Sequence, residues 1–432
     1  MGVKTLIENK TEITKNPRKV KNILILIDSS WGEIDWILPV CQYIKDNYTE
    51  ITQTVLFNHL DSDAILKGNT FLKNLLSNCV DRWYETKDLL NPIHKQIFNI
   101  SMKFYNKTFR PAITPYQENR LFEWFFKIFP LNKEIMKKIK PDVLLKDPSK
   151  DKGTRKHIID LARETGVREI MFPHATCIYN IPISQKSRSH ETPNRLEDDI
   201  LCNSKEMTQF YSRGKKTFKT KIHAIGIPRY DEWWIKFIQN NWVKYSSKKK
   251  IYDSKKSIFL LFTVRPTSSS FTKETLGITI HEIVDTVFSI PDSFLIIKPH
   301  PRQDLIHLKN LLERYDKNKW TIDQSQAMSL SSISDIVIYI GRGSAVLDAL
   351  AVGKPTILYK DANLKNLVDD YFLVGFSPRA NDPVELKKWI MRFKSNPEKE
   401  RKIFVDNFNK YLSRIKDSAT RKTVNVILGI ED

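Results

Sequence analysis

Between Phe294 and Lys360 the chain alternates short apolar runs with stretches of helical spacing, and each chemically distinctive group falls where an apolar run stops. Such alternation can bury its apolar faces only as a parallel sheet with crossover helices, so it fixes an α/β architecture. Ser293 to Ile297 is the first run, followed at once by Lys298-Pro-His-Pro301, so that a cation and an imidazole stand at the strand exit. The two prolines stop the strand and stiffen the turn around His300. A helical segment near Leu305 to Tyr315 leads to Asp335 to Ile340, which breaks at Gly341-Arg-Gly-Ser344. Ala345 to Val352 has helical spacing, Gly353 caps it, and Pro355 begins the return to Thr356 to Tyr359. The reading is a βαβαβ unit of three strands and two helices within about 70 residues. In an open parallel sheet ligands bind at the carboxyl ends of the strands, and a glycine turn opening into a helix offers N–H groups to an anion. The segment therefore predicts a phosphate site.

A chain of 432 residues is long for one core and suits two domains of about 200 residues each. No apolar run reaches the roughly 18 residues that span a bilayer, and Met1 to Lys21 lacks the apolar core of a secretory signal, so a cytosolic protein is expected. Cys41, Cys79, Cys177 and Cys202 have no metal-binding spacing and read as reduced packing residues. The net charge of +20 is spread along the chain without a nucleic-acid motif. It reads either as a basic surface working beside anionic lipids or as solvated charge.

The C-terminal half resembles the donor domain of GT-B glycosyltransferases of bacterial capsule, lipopolysaccharide and teichoic-acid synthesis. The residues that carry the likeness are Lys298-Pro-His-Pro301, Ser334-Asp335, Gly343-Ser344, Asp348-Ala-Leu350 and Gly353-Lys-Pro355. Transferases using CMP-activated 2-keto sugar acids similarly pair a His-Pro motif with a downstream small-hydroxyl motif, and CDP-glycerol glycerophosphotransferases have a related pair.

In the first half, Asn22 to Ile27 is a strand ending in Asp28-Ser-Ser-Trp-Gly-Glu33, with helical spacing from Ile34 to Ile44 and a second strand at Thr52 to Phe57. A carboxylate after a glycine turn at a sheet mouth is placed for general-base work, or is simply an acidic residue favoured by the helix dipole. Ser30-Trp-Gly-Glu33 resembles the Ser-x-Gly-Glu loop of lipid A Kdo transferases, which makes Glu33 the leading base, with Asp28 and Asp35 as substitutes. Leu60 to Arg120 reads as mainly helical, Trp83-Tyr84 and Trp124 to Phe126 supplying core or groove wall. Strands are expected at Pro141 to Leu145, Arg168 to Phe172, Asp199 to Asn203 and His223 to Gly226. Pro173-His174 resembles the Pro-His-Gly element of surface-polysaccharide transferases, with Ala175 in place of glycine; otherwise His174 is structural. Gly226-Ile-Pro-Arg-Tyr-Asp231 resembles the Gly-Asn-Pro-Arg-Tyr/Phe-Asp element that closes the acceptor domain, Arg229 pointing at the cleft or forming an interdomain salt bridge.

The resemblance implies two Rossmann-like doubly wound domains: an acceptor domain over 1–240, a linker over 241–256, a donor domain over 257–400, and a C-terminal helix crossing back over 401–432. Its function would be an inverting transfer to a lipopolysaccharide or capsule acceptor, best from a CMP-linked 2-keto sugar acid such as Kdo. The alternatives are a CDP-glycerol-type phosphotransferase, a UDP-sugar transferase, or a UDP-N-acetylglucosamine 2-epimerase-like isomerase. The expected donor residues are Arg265, Lys298, His300, Pro301, Arg342, Gly343, Ser344 and Asp348, the last for the ribose hydroxyls. The expected acceptor residues are Ser30, Gly32, His174 and Arg229, with Glu33 and His300 catalytic. No metal or other cofactor is called for, and a nucleotide-activated donor, a glycan or glycolipid acceptor and a membrane surface are the expected partners, nucleic acid not among them.

Overall fold

The computed structural model describes residues 20–27, 31–58, 69–108, 133–148, 153–173, 197–212, 220–245, 248–264, 271–300, 303–341, 345–359, 377–412 and 418–430. Two parallel sheets organise them. The first has strands β1 (Asn22–Ile27), β2 (Thr52–Phe57), β3 (Arg82–Glu85), β4 (Val143–Lys146), β5 (Arg168–Met171), β6 (Asp199–Cys202) and β7 (Lys221–Ala224) in the order β3-β2-β1-β4-β5-β6-β7. The second has β8 (Ser257–Phe262), β9 (Ser293–Lys298), β10 (Trp320–Ile322), β11 (Ile336–Ile340), β12 (Thr356–Tyr359) and β13 (Arg379–Ala380) in the order β10-β9-β8-β11-β12-β13. Both orders reverse beside the first strand of their sheet, between β1 and β4 and between β8 and β11. That reversal opens a crevice at the carboxyl ends.

The central strands explain themselves. Ile23 to Ile27, Phe259 to Leu261 and Leu295 to Ile297 are wholly buried, as strands covered by helices on both faces must be. Register runs in phase from Asn22 opposite Thr52 to Ile27 opposite Phe57, and from Ser257 opposite Ser293 to Phe262 opposite Lys298. The exits of β8 and β9 therefore lie side by side.

The unit read from Phe294 to Lys360 is larger than three strands and two helices. After the helix Leu305–Leu312 the chain adds the edge strand β10 and a second helix, Ala327–Ile333, before it returns to β11. β3 likewise occupies a stretch expected to be helical, and its Trp83 ring packs 4.8 Å from that of Phe57. The expected linker over 241–256 is largely helical where it is described: helices Glu232–Tyr245 and Lys249–Asp253 reach into it, and Trp242 and Tyr252 are buried. The end of the chain forms two helices, Pro397–Leu412 and Ala419–Leu428. The second packs on the first half, where Arg168 donates from Nη1 to the Val426 carbonyl at 2.9 Å.

Gly353 ends the helix Ala345–Ala351 at φ +71°, and a Cβ there would stand 2.9 Å from Val405 Cγ2. Both the backbone angle and the packing exclude a side chain. Cys41, Cys79 and Cys202 are buried and free, and burial pushes the Cys79 and Cys202 thiols up to about 12. Cys177 lies outside the described residues.

Candidate functional site

Lys298 is the last residue of β9, and its side chain is buried. Its ammonium donates to the Gln324 carbonyl at 3.4 Å. Burial pushes the Lys298 pKa down to about 8, while the Asp323, Asp35 and Asp348 carboxylates pull it back up. A buried lysine this close to its titration point responds strongly to any added negative charge.

His300, two residues further, is exposed. Its position is set by Gln303: the His300 N–H donates to Gln303 Oε1 at 3.3 Å, and the Gln303 N–H donates to the His300 carbonyl at 2.9 Å. The same Oε1 accepts from the Thr263 hydroxyl, and the Thr263 N–H donates to the Lys298 carbonyl at 3.1 Å. Gln303 thus ties the turn after β9 to the end of β8. Across the crevice β11 is followed by Gly341 at φ +64°, where a Cβ would stand 3.3 Å from Val264 Cγ1. Lys298, His300 and Gly341 therefore stand at the exits of strands on both sides of the switch point. Arg265, Pro301, Arg342, Gly343 and Ser344 lie outside the described residues.

On the first half, Gly32 and Glu33 occupy the first turn of the helix Trp31–Asn47, Gly32 half-buried and Glu33 wholly buried. Two residues on, Asp35 is committed elsewhere. It accepts from Gln326 Nε2 at 2.8 Å and lies 3.4 Å from Arg229 Nη2. Ser30, Asp28 and His174 lie outside the described residues.

The Gly226–Asp231 element is the joint between the halves. Pro228–Tyr230 is a single 3-10 turn, and the fixed ring of Pro228 suits its first position. Arg229 Nη2 lies 2.7 Å from Asp348 Oδ1 and donates to Oδ2 at 2.8 Å, while the Tyr230 hydroxyl donates to Oδ1 at 3.0 Å. Both oxygens of Asp348 are thereby engaged. Asp231 faces the other way and caps the last helix, accepting from the N–H groups of Ala419 and Thr420 at 3.0 and 2.8 Å and from the Ser418 hydroxyl at 2.7 Å. Burial raises the Asp348 pKa to about 6 against the downward pull of Arg229, and the flanking carboxylates hold the Arg229 guanidinium charged.

These contacts bear on two of the expectations from sequence. Asp348, expected at the ribose hydroxyls, is held by Arg229 and Tyr230, and of the two readings of Arg229 the contacts give the interdomain salt bridge. Sequence reading passed over Gln303, Gln326 and Asp323, and quoted Tyr230 in its motif without giving it a role. Asp323 accepts from the Tyr252 hydroxyl, fixing the chain between the sheets against β10. Gln326 lies 291 residues from its partner Asp35, so no local pattern could have found the pair. Among the described residues no group of three or more His, Cys, Asp or Glu side chains is placed to hold a metal ion.

At the exit of β4, Lys146 and Asp147 serve packing. Lys146 is paired with Glu169 and Glu197 at 3.0 and 3.3 Å, and Asp147 with Arg155 at 2.9 Å.

Comparison with known proteins agrees with this architecture. Residues 164–428, more than half of the chain, match the family described as CDP-Glycerol:Poly(glycerophosphate) glycerophosphotransferase. A co-structure of S. aureus MnaA with UDP superimposes at a TM-score of 0.58 and 12% identity, covering 95% of this chain and 98% of that one. A UDP-N-acetylglucosamine 2-epimerase gives 0.59 at 12% identity over 95% and 96% of the two chains. The glycotransferase of kitacinnamycin gives 0.52 at 12% identity over 96% and 100%. At these identities the likeness is one of fold, and the fold is of the GT-B kind. No curated protein matches the chain.

Proposed function

Since the chain belongs to the CDP-glycerol:poly(glycerophosphate) glycerophosphotransferase family, we propose that it moves a polyol phosphate from a CDP-activated donor to a hydroxyl of an anionic polymer or glycan. The observation that carries this reading is the span of the family match. It takes in the whole second sheet, with Lys298 and His300 after β9 on one side of the switch point and Gly341 after β11 on the other.

In this scheme the acceptor hydroxyl attacks the phosphorus that carries the polyol. A new P–O bond forms to the acceptor, the P–O bond to CMP breaks, and CMP leaves with the electron pair. The hydroxyl proton passes to Glu33, with Asp28 as the alternative base; Asp35 is occupied by Gln326 and Arg229. Charge that grows on the leaving phosphate is met by Lys298 and His300, with Arg265, Arg342, Ser344 and the Gly343 backbone assigned to the same phosphate. Ser30, Gly32 and His174 are assigned to the acceptor. The cations suffice to neutralise a diphosphate, so the scheme needs no metal.

The family match favours the CDP-linked alternative over the CMP-linked 2-keto sugar acid and lipopolysaccharide acceptor expected from sequence, for which the Ser30 to Glu33 loop remains the support. A UDP-sugar donor fits the same scaffold. An epimerase fits it too, although the Gly-Thr-Arg-Pro-Glu opening usual after the first strand of such enzymes is replaced here by Asp28 to Glu33.

Thermal shift with CMP, CDP, UDP and GDP tests the donor, since a ligand at about 100 times its dissociation constant adds roughly 2.7 kcal/mol. The expected result is stabilisation by CMP and CDP, and release of CMP from CDP-glycerol that His300→Ala lowers at least tenfold. Stabilisation by UDP alone would overturn the reading.

A further inference from the structure

Gln303 stands three residues after His300 and directly before Asp304, whose side chain caps the helix Leu305–Leu312 by accepting from the N–H groups of Ile306 and His307 at 3.0 and 3.2 Å. Its backbone is therefore anchored from the helix side. Its side chain is buried, and Oε1 receives two donors, the Thr263 hydroxyl just after β8 and the His300 N–H at 3.3 Å. A backbone N–H can only donate, so the amide has to turn its oxygen to His300, and the Thr263 hydroxyl then donates to the same atom. The Thr263 N–H in turn donates to the Lys298 carbonyl at 3.1 Å, which completes a run of contacts from Lys298 through Thr263 and Gln303 to His300.

We propose that Gln303 is a positioning residue for the transfer: an uncharged acceptor that fixes the backbone beneath the His300 imidazole while adding no negative charge beside the leaving phosphate. The inference rests on the transferase reading above. What the contacts ask of this position is a single oxygen that meets Thr263 and His300 at once. Glutamine and glutamate place such an oxygen at the same distance from the backbone and differ chiefly in charge. A glutamate would set a carboxylate close to Lys298 and His300, where it would repel a diphosphate and compete with it for the same cations. Glutamine supplies the oxygen without the charge.

The charges around Lys298 point the same way. The three carboxylates that act on it are each engaged by other groups: Asp323 accepts from the Tyr252 hydroxyl, Asp35 from Gln326 Nε2 at 2.8 Å, and Asp348 from Arg229 and Tyr230. The acceptor that faces His300 is a neutral amide. His300 is itself exposed, so where its imidazole can reach depends on where the backbone starts it more than on packing around the ring. A misplacement of about 1 Å at a reacting group can cost on the order of 100-fold in rate, which makes one hydrogen bond to that backbone worth keeping.

Two substitutions in the full chain separate the oxygen from the charge, with CMP release from CDP-glycerol as the assay. Gln303→Leu removes the oxygen and is expected to lower kcat roughly tenfold or more while donor KM stays within about twofold. Gln303→Glu keeps the oxygen and is expected to recover most of kcat but to raise donor KM roughly tenfold at low salt, an excess that fades by about 0.5 M. Thr263→Val deletes the hydroxyl that orients the amide and should fall between the two; it decides the matter if the leucine variant does not fold. Equal losses of kcat in both Gln303 variants would overturn the proposal, as would a leucine variant that melts earlier yet keeps kcat and KM. Placement is also read without any turnover, by amide hydrogen exchange at His300: slow in the wild type and in Gln303→Glu, fast in Gln303→Leu. Unchanged protection in the leucine variant would sink the assignment whatever the donor. A wild-type chain that releases no CMP from CDP-glycerol would count against the transferase reading. The exchange result, together with a smaller thermal shift by inorganic pyrophosphate in Gln303→Glu than in Gln303→Leu, would then still decide the role of Gln303, and an equal shift in both would refute it.

Discussion

Lys298 shows how a single residue at a strand exit acquires a function-sized response. Its pKa of about 8, set first by burial, lies below the usual lysine value, so the folded protein releases a proton that the unfolded chain keeps at the same pH. The unfolded state binds more protons between about pH 8 and the ordinary lysine value near 10.4, and stability from this group rises with pH across that window. A phosphate arriving beside Lys298 would favour the charged form. Nucleotide binding at pH 8.5 is therefore expected to take up a fraction of a proton, and much less at pH 6.5. Titration calorimetry in two buffers of different ionisation heat measures it, and Lys298→Met should abolish the pH 8.5 uptake. Equal uptake at both pH values would place the responding group elsewhere.

At the level of elements, helix ends carry more of the structure than helix interiors. The helix Ala419–Leu428 is held by Asp231, a residue nearly two hundred positions upstream, and Gly429 closes it in the left-handed conformation at φ +68°. Ser418 is the N-cap of this helix, and Asp231→Ala removes the carboxylate that accepts its first two N–H groups at a buried helix end, which should cost about 1–2 kcal/mol in urea denaturation. An unchanged midpoint would mean that the contacts other than Asp231, such as buried Val424 and Ile427 and the Ser418 N-cap, suffice to hold the helix.

Legibility followed the same division. Central strands such as Asn22 to Ile27 and Ser293 to Ile297 were readable because burial on both faces demands unbroken apolar runs. The edge strands Arg82–Glu85 and Trp320–Ile322 were not, since one neighbouring strand and half-exposed residues leave them without that signature. Lys298, His300 and Gly341 were legible because a strand exit is a local event in sequence. The partners of Asp348 were not, because Arg229 stands 119 residues away and no spacing rule reaches that far.

For the whole molecule, the connection between the sheets is a buried charge cluster. Arg229→Ala would leave Asp348 and Asp35 buried without their guanidinium, and should destabilise the protein by about 3–5 kcal/mol. Arg229→Lys should recover only part of this, since an ammonium cannot reproduce the planar fork that serves two carboxylates. In a double-mutant cycle with Asp348→Asn the two losses should be far from additive, because both delete the same contact. Additive losses would show the pair to be energetically independent.

Arg229, Tyr230 and Asp231 are consecutive, yet the first two grip the second sheet's helix while the third grips the final helix. A turn of three residues has almost no internal slack, so the angle between the halves and the seating of the chain's last helix are set by the same gauge. Any widening of the crevice must either drag that helix along or break a buried ion pair outright.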